Sequence, residues 1–186
     1  MGKTYESIDD KLANWVDAQQ MFFVSTAPLA DDGLVNCSPK GGADTFVILD
    51  AHTVAYLDFT GSGVETVAHL KENGRIVIMF CAFNGPANIV RFHGTGTVIE
   101  PHHPDFAELR ARFPDYPGVR SIIRVNVTRV SDSCGYGVPK YEYVGQRDTL
   151  QKHCDHLGPE GVRAYQIQRN NRSLDGLPGV AVLSEA

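Results

Sequence analysis

The residues best placed to do chemistry cluster where apolar runs break. Thr60-Gly61-Ser62-Gly63 interrupts strand-forming residues (Val54, Tyr56, Leu57 and Phe59). Behind it, Val64, Val67, Ala68 and Leu70 fall at helical spacing, with Glu65 in the first turn and Asn73-Gly74 as a stop. A strand, a Gly-rich turn bearing hydroxyls and a helix N-terminus in succession suit an anion. Backbone N–H groups and the positive end of the helix dipole converge there, the glycines Gly61 and Gly63 permit close approach, and Thr60, Ser62 and Thr66 add hydrogen bonds. The same residues also read as a plain connection in which Ser62 caps the helix and Glu65 completes a Ser-x-x-Glu capping box. The residues alone leave both readings open.

Two cations stand out. Ser38-Pro39-Lys40-Gly41-Gly42 holds a lysine just past an expected strand end, beside flexible glycines and the Ser38 hydroxyl, where it reaches an anion or simply projects from a hairpin turn. Arg91 lies on the β-rich run Ile89 to Glu100, sharing a face with His93 and Thr95 while Gly94 and Gly96 take the other. A strand-borne arginine needs a partner, for which phosphate and Asp58 are the two candidates.

Catalytic constellations are scarce. There is no G-x-S-x-G elbow and no H-E-x-x-H, and the histidine nearest Ser62, His69, follows in the same helix with no acid placed by sequence to orient it. No catalytic residue is assigned. His153-Cys154-Asp155-His156 puts two histidines at i and i+3 without a third ligand at recognised spacing, and reads as a solvated helix end, as His102-His103 reads as a loop; no metal is assigned. The 4 cysteines form no C-x-x-C pair, which suits reduced thiols.

The elements that must position these groups follow from periodicity. Ser7 opens a helix, over about residues 7–20, with Ile8, Leu12, Trp15 and Val16 on its apolar face. Short β-rich runs follow from Met21, from Leu34, from Phe46 and from Thr53, the first two linked through Asp31-Asp32-Gly33 and the last two through Asp50-Ala-His. After the central helix come a continuous apolar run from Arg75, the Ile89 run, a short helix at Pro104–Phe113, and a strand from Val119 to Val130 alternating Ile123, Val125 and Val127 against Arg124, Asn126 and Thr128. A helical tail occupies about 145–186, with helices near Arg147–His156 and Pro159–Arg169 and an aperiodic, mobile end from Leu177. One domain, mainly β with peripheral helices and a closed antiparallel barrel at its centre, is expected from this order.

The 186 residues, 42% hydrophobic and 21% charged, suit a globular chain with its own core. A net charge of −5 and a pI near 5.8 argue against nucleic acid as a partner, and no apolar run is long enough for a membrane helix. The first residues have no signal-peptide core, so the cytoplasm is the expected location.

Taken in order, Asn36-Cys-Ser-Pro-Lys-Gly-Gly, Tyr56-Leu-Asp-Phe-Thr-Gly-Ser-Gly, Glu65-Thr-Val-Ala-His-Leu, Asn73-Gly-Arg-Ile, Met79-Phe-Cys-Ala-Phe and Arg91-Phe-His-Gly-Thr-Gly resemble the pyridoxamine 5′-phosphate oxidase-like family of FMN-binding split barrels. The resemblance spans most of residues 10–180. It implies a six-stranded antiparallel split β-barrel that forms a homodimer with FMN at the subunit interface. It implies Ser38 and Lys40 near the flavin ring or ribityl chain, Asp58, Thr60, Gly61, Ser62, Gly63 and Thr66 around the ribityl phosphate, and Arg91 on the neighbouring strand. Two patterns of the true oxidases are missing. Ser62-Gly63-Val64 stands where they carry a Ser-Arg-Lys phosphate clamp, and residues 160–186 contain arginines but no Arg-x-His. The resemblance therefore implies a flavin-dependent oxidoreductase with an unknown small-molecule substrate, and the missing patterns weigh against pyridoxamine phosphate. The alternatives are a non-catalytic flavin- or haem-binding module and a cofactor-less dimeric barrel.

Overall fold

In the computed structural model, which describes residues 2–181, the period-two runs become one antiparallel sheet curled around its apolar face. Its strands are β1 (Thr4–Tyr5), β2 (Met21–Thr26), β3 (Asn36–Gly41), β4 (Phe46–Asp50), β5 (Thr53–Phe59), β6 (Arg75–Cys81), β7 (Ile89–Ile99) and β8 (Val119–Ser133). The helices are α1 (Asp10–Asp17), α2 (Glu65–Asn73), α3 (Phe106–Arg110) and α4 (Thr149–Arg169). Strands neighbour one another in the order β3-β2-β6-β7-β8-β5-β4, and β1 pairs with the end of β8. The two ends of that series, β3 and β4, do not pair with each other, so the barrel is split rather than closed. The resemblance implied six strands. The chain builds seven strands, β2 to β8, of which β3 is the polar Asn-Cys-Ser-Pro-Lys-Gly, and adds the two-residue β1.

Alternation puts Val24, Tyr56, Ile78, Phe92 and Ile123 inside, each fully buried. Leu12 and Val16 of α1 and Val64, Val67 and Leu70 of α2 pack onto this core. Each such side chain contributes about 1.5–3 kcal/mol by leaving water. A second cluster, Leu57, Ile99 and Ile122 with Leu109 and Phe113, holds α3 on the outside. Gly96 lets α2 rest directly on β7, since a Cβ there would meet Leu70 Cδ2 at 2.9 Å.

Local chemistry departs from the expected boundaries in several places. α1 is capped by Asp9, whose carboxylate accepts from Leu12 N at 2.8 Å, and not by Ser7. Pro39 does not interrupt its strand: β3 is at the sheet's end, where a missing N–H costs no ladder bond, so Lys40 lies within the strand rather than past it. The two tail helices run together as α4 with a break at Gly158 (φ 65), followed by Pro159. The chain from Leu177 to Ala181 is tied down rather than loose, through Gly179 N to Asn171 O (2.9 Å) and Val180 N to Asn170 O (2.9 Å); the rest of the expected mobile end, 182–186, lies outside the described residues.

Candidate functional site

The Gly-rich turn sits where the sequence placed it, between β5 and α2, but its capping is different. The residue at the helix N-cap is Val64, and no side chain caps the helix. Ser62 is exposed and bonds nothing in the turn, so the capping box does not form. Glu65 instead accepts from Leu174 N at 3.3 Å. Every helix leaves its first N–H groups without intrahelical acceptors, and among the described residues no side-chain cap meets them here. Neither Gly61 nor Gly63 has positive φ. A Cβ at Gly63 would lie 2.3 Å from Glu65 Oε2, so a side chain there would make the Glu65 carboxylate move.

The C-terminal segment straps this turn from behind. Thr60 Oγ1 accepts from Gln166 Nε2 (2.8 Å), and Gly61 O accepts from Asn170 Nδ2 (2.8 Å). Farther on, Lys71 Nζ donates to Gly179 O, and Ala181 N donates to Glu100 Oε1 (2.9 Å). These partners come from more than 80 residues away in sequence for Ala181 and more than 100 for the others.

Inside the barrel, below the turn, lies a buried charge cluster. Asp58, wholly inaccessible, accepts from Arg120 Nε (2.7 Å) and Nη2 (3.3 Å), from Ser121 Oγ (3.1 Å) and from Lys40 Nζ (3.3 Å). Burial alone pushes the Asp58 carboxyl up. Attraction to Arg120 and then Lys40, with the hydrogen bonds from Arg120 and Ser121, outweighs burial and holds it below the ordinary carboxylate range. Arg120 Nη1 also donates to Gly63 O at 2.8 Å, tying the cluster to the turn. Beside it, the Tyr56 hydroxyl is buried with no partner among the described residues, and burial pushes its pKa well up.

A second polar chain runs from β3 toward α2. Ser38 Oγ donates to Asn36 Oδ1 (2.9 Å), and Asn36 Nδ2 donates to Thr66 Oγ1 (3.0 Å) and Thr26 Oγ1 (3.2 Å). Thr26 Oγ1 in turn lies 2.9 Å from His69 Nδ1. The His69 ring is fully buried, and burial lowers its pKa. Its Nε2 has no hydrogen bond among the described residues and faces Asp175 Oδ2 across 3.9 Å. The hydroxyl beside His69 is therefore Thr26, not Ser62, and the acid near it comes from the tail.

Eight of the nine residues singled out from the sequence thus gather around the turn and the adjoining barrel interior. Arg91 does not join them. β7 pairs Arg91 with Met79 of β6, and Met79 with Phe23 of β2, all on the outer face, whereas Lys40 pairs with Phe22 on the inner one. Arg91 Nη1 donates to Ser133 Oγ (3.0 Å), and Asp58, its expected acid partner, belongs to Arg120. Sequence reasoning missed Arg120, Asn36 and the strap residues Gln166, Asn170 and Asp175. One signal was available for Arg120: an aspartate inside an apolar strand must find a cation, and Gly118-Val-Arg-Ser offers one at a strand start.

Residues 8–134, from the start of α1 through β8, match the family model described as pyridoxamine 5′-phosphate oxidase. The chain belongs to this family. A pyridoxamine 5′-phosphate oxidase family protein of Aspergillus flavus, ustO, is 40% identical over 192 residues, covering 95% of this chain and 77% of the relative. Among solved structures, a HupZ variant from Group A Streptococcus shares the fold with a TM-score of 0.52 at 19% identity, over 68% of this chain and 99% of that one. A conserved hypothetical protein of Mycobacterium tuberculosis does so with a TM-score of 0.50 at 14% identity, over 74% of this chain and 92% of that one. The split-barrel architecture is thus the family's. Among the described residues no helix is long and apolar enough to cross a membrane.

Proposed function

We propose that this chain is a flavin-binding redox protein that holds FMN with its phosphate at the Thr60–Gly63 turn, in a homodimer whose interface completes the site, and that it acts on a small-molecule substrate. Family membership supports the cofactor class. The observation that carries the placement is the uncapped N-terminus of α2, whose first N–H groups are left to an anion beside the exposed Ser62 hydroxyl.

The missing Ser-Arg-Lys clamp is partly replaced in space. Arg120 brings a guanidinium to the Gly63 carbonyl from β8, and Lys40 stands behind it on β3. Both are shared with Asp58, so this chain would bind a phosphate mainly through backbone amides and hydroxyls, with the cations setting a positive field behind them. Bound, the isoalloxazine would supply the electron transfer. Ser38 and Asn36, fixed by their mutual hydrogen bond, would position and hydrogen-bond the cofactor along β3. Arg91, on the outer face, would act across the dimer interface rather than in its own subunit's turn.

Three measurements test this reading. Titration of the purified protein with FMN and riboflavin should show saturable flavin binding with preference for FMN, and light scattering should give a dimer. Bleaching of the bound flavin by NADH or NADPH separates an enzyme from a carrier. A colourless protein that cannot be reconstituted with FMN, or one with a Soret band instead, refutes the flavin assignment, and a clean monomer of about 20 kDa at micromolar concentration refutes the interface site.

A further inference from the structure

The split in the barrel opens a second cavity, about 620 Å³, that none of the nine candidate residues lines. This volume lies within the range of small-molecule sites, roughly 300–1,000 Å³. Its floor is made by Phe22, Phe46 and Phe80, whose rings meet in pairs at 5.2, 5.6 and 5.1 Å between centroids. Phe22 and Phe80 are buried and Phe46 is partly exposed, so Phe46 is the ring within reach of an occupant.

The wall is a free strand edge. Leu57 N donates to Thr45 O at 2.9 Å, and the register then pairs Phe46 with Tyr56, Val47 with Ala55 and Ile48 with Val54. In an antiparallel ladder bonded and non-bonded pairs alternate, so the N–H and C=O groups of Phe46 and Ile48 point away from β5. β4 ends the sheet, so no neighbouring strand takes them, and Phe46, Val47 and Ile48 all line the cavity. Two residues apart, these groups repeat about every 7 Å along one edge.

The cavity is bounded by a helix and a loop. Ala13 and Val16 of α1 cover it, and the loop after β3 bounds it. That loop is held by Thr45 Oγ1 donating to Gly42 O (3.0 Å) and by Gly42 N donating to Gln146 Oε1 (3.1 Å). The cavity's volume is that of a small-molecule site. The charged lining residues, Asp17, Asp44 and Arg112, are exposed at the rim, and none belongs to the floor. Its occupant must therefore be flat, uncharged where it is buried, and able to offer a donor and an acceptor along one edge.

We infer that this cavity is a binding site for a small uncharged heteroaromatic molecule carrying a lactam-type edge, which stacks against Phe46 and hydrogen-bonds the free N–H and C=O of one edge residue of β4, Phe46 or Ile48. The site is distinct from the turn, and its occupation does not require flavin.

The probe is 2-quinolone, with N-methyl-2-quinolone as the analogue lacking the donor, titrated into the full chain by calorimetry with and without FMN. Saturable 1:1 binding is expected, about tenfold weaker for the N-methyl compound, the effect of leaving one buried acceptor unmatched. In amide-resolved NMR spectra the Phe46 or Ile48 signal should move, and those of residues 61–66 should not. Ala13→Trp, which projects an indole from α1 into the cavity, should abolish binding. Absence of binding at millimolar probe, equal binding of both compounds, displacement by FMN, or unchanged binding in a folded Ala13→Trp variant would each overturn the assignment. Should Ala13→Trp fail to fold, the amide shifts of the unaltered protein decide the matter.

Discussion

Replacing Arg120 with Met is the sharpest perturbation of this architecture, because it strands a carboxylate in the barrel interior. Arg120 and Asp58 are both buried and joined by two contacts, 2.7 and 3.3 Å, while Lys40, the remaining cation, stands 3.3 Å away with a partly exposed side chain. At an effective dielectric near 20, a contact of this kind is worth about 4 kcal/mol. Removing one member of a buried pair generally costs about 3–5 kcal/mol. We expect Arg120→Met to lose about 3 kcal/mol or more in urea unfolding at pH 7, equivalent to a fall in Tm of roughly 6–20 °C at 2–4 °C per kcal/mol. The pH dependence should reverse. In the unaltered protein Asp58 is held below its ordinary value, so its stabilisation is present above about pH 4 and fades as pH falls through the depressed folded value. Without Arg120, burial dominates and the folded value rises. The native state then binds more protons than the unfolded one above pH 4, so this group's contribution weakens as pH rises. Combining Arg120→Met with Asp58→Asn should recover at least half of the loss, since no charge is left unpaired. A loss under 1 kcal/mol, or a variant whose stability relative to the unaltered protein does not fall between pH 4 and 7, would refute the reasoning.

Ser62→Ala should leave the apo melting temperature within about 1 °C, because Ser62 caps nothing, yet shrink the FMN-induced rise in Tm. An apo loss of the 0.5–2 kcal/mol typical of a helix cap would contradict the structure. His69→Gln tests the buried imidazole. Burial lowers the His69 pKa from 6.5, so the unfolded chain takes up a proton first and stability falls as pH drops below 6.5, by at most about 1.4 kcal/mol per pH unit. The variant should lack that component in denaturation curves between pH 7 and 5; an identical slope would mean that His69 does not titrate on unfolding. Lys40→Ala should weaken FMN more than riboflavin, as competition fluorescence titrations would report. Equal losses would assign Lys40 to Asp58 and the fold alone.

Much of this was legible in the chain. Short-range rules reached most of the strands, because their apolar faces recur every second residue and their turns carry Asp-Gly, Gly and Pro; β3 has no such face, and its expected run stopped short at Pro39. They also placed the Gly-rich turn before α2 and set Gly94 and Gly96 against close neighbours. Caps were harder. Asp9 and Ser7, or Val64 and Ser62, differ by two residues, and which one starts the helix depends on where packing of Leu12 or Val67 fixes its phase. Only the tertiary structure decided who pairs with whom. Arg120 reaches Asp58 because a register shift beside Phe59 aligns β8 with β5, and Arg91 is carried to the other face by the parity of β7 against β6. The strap residues Gln166 and Asn170 carry no local signal, since their hydrogen bonds close loops of more than 100 residues. Sequence periodicity specifies which side of an element is apolar. Which charges meet inside a barrel is set by strand order and register, and those exist only once the sheet has closed its long-range pairs.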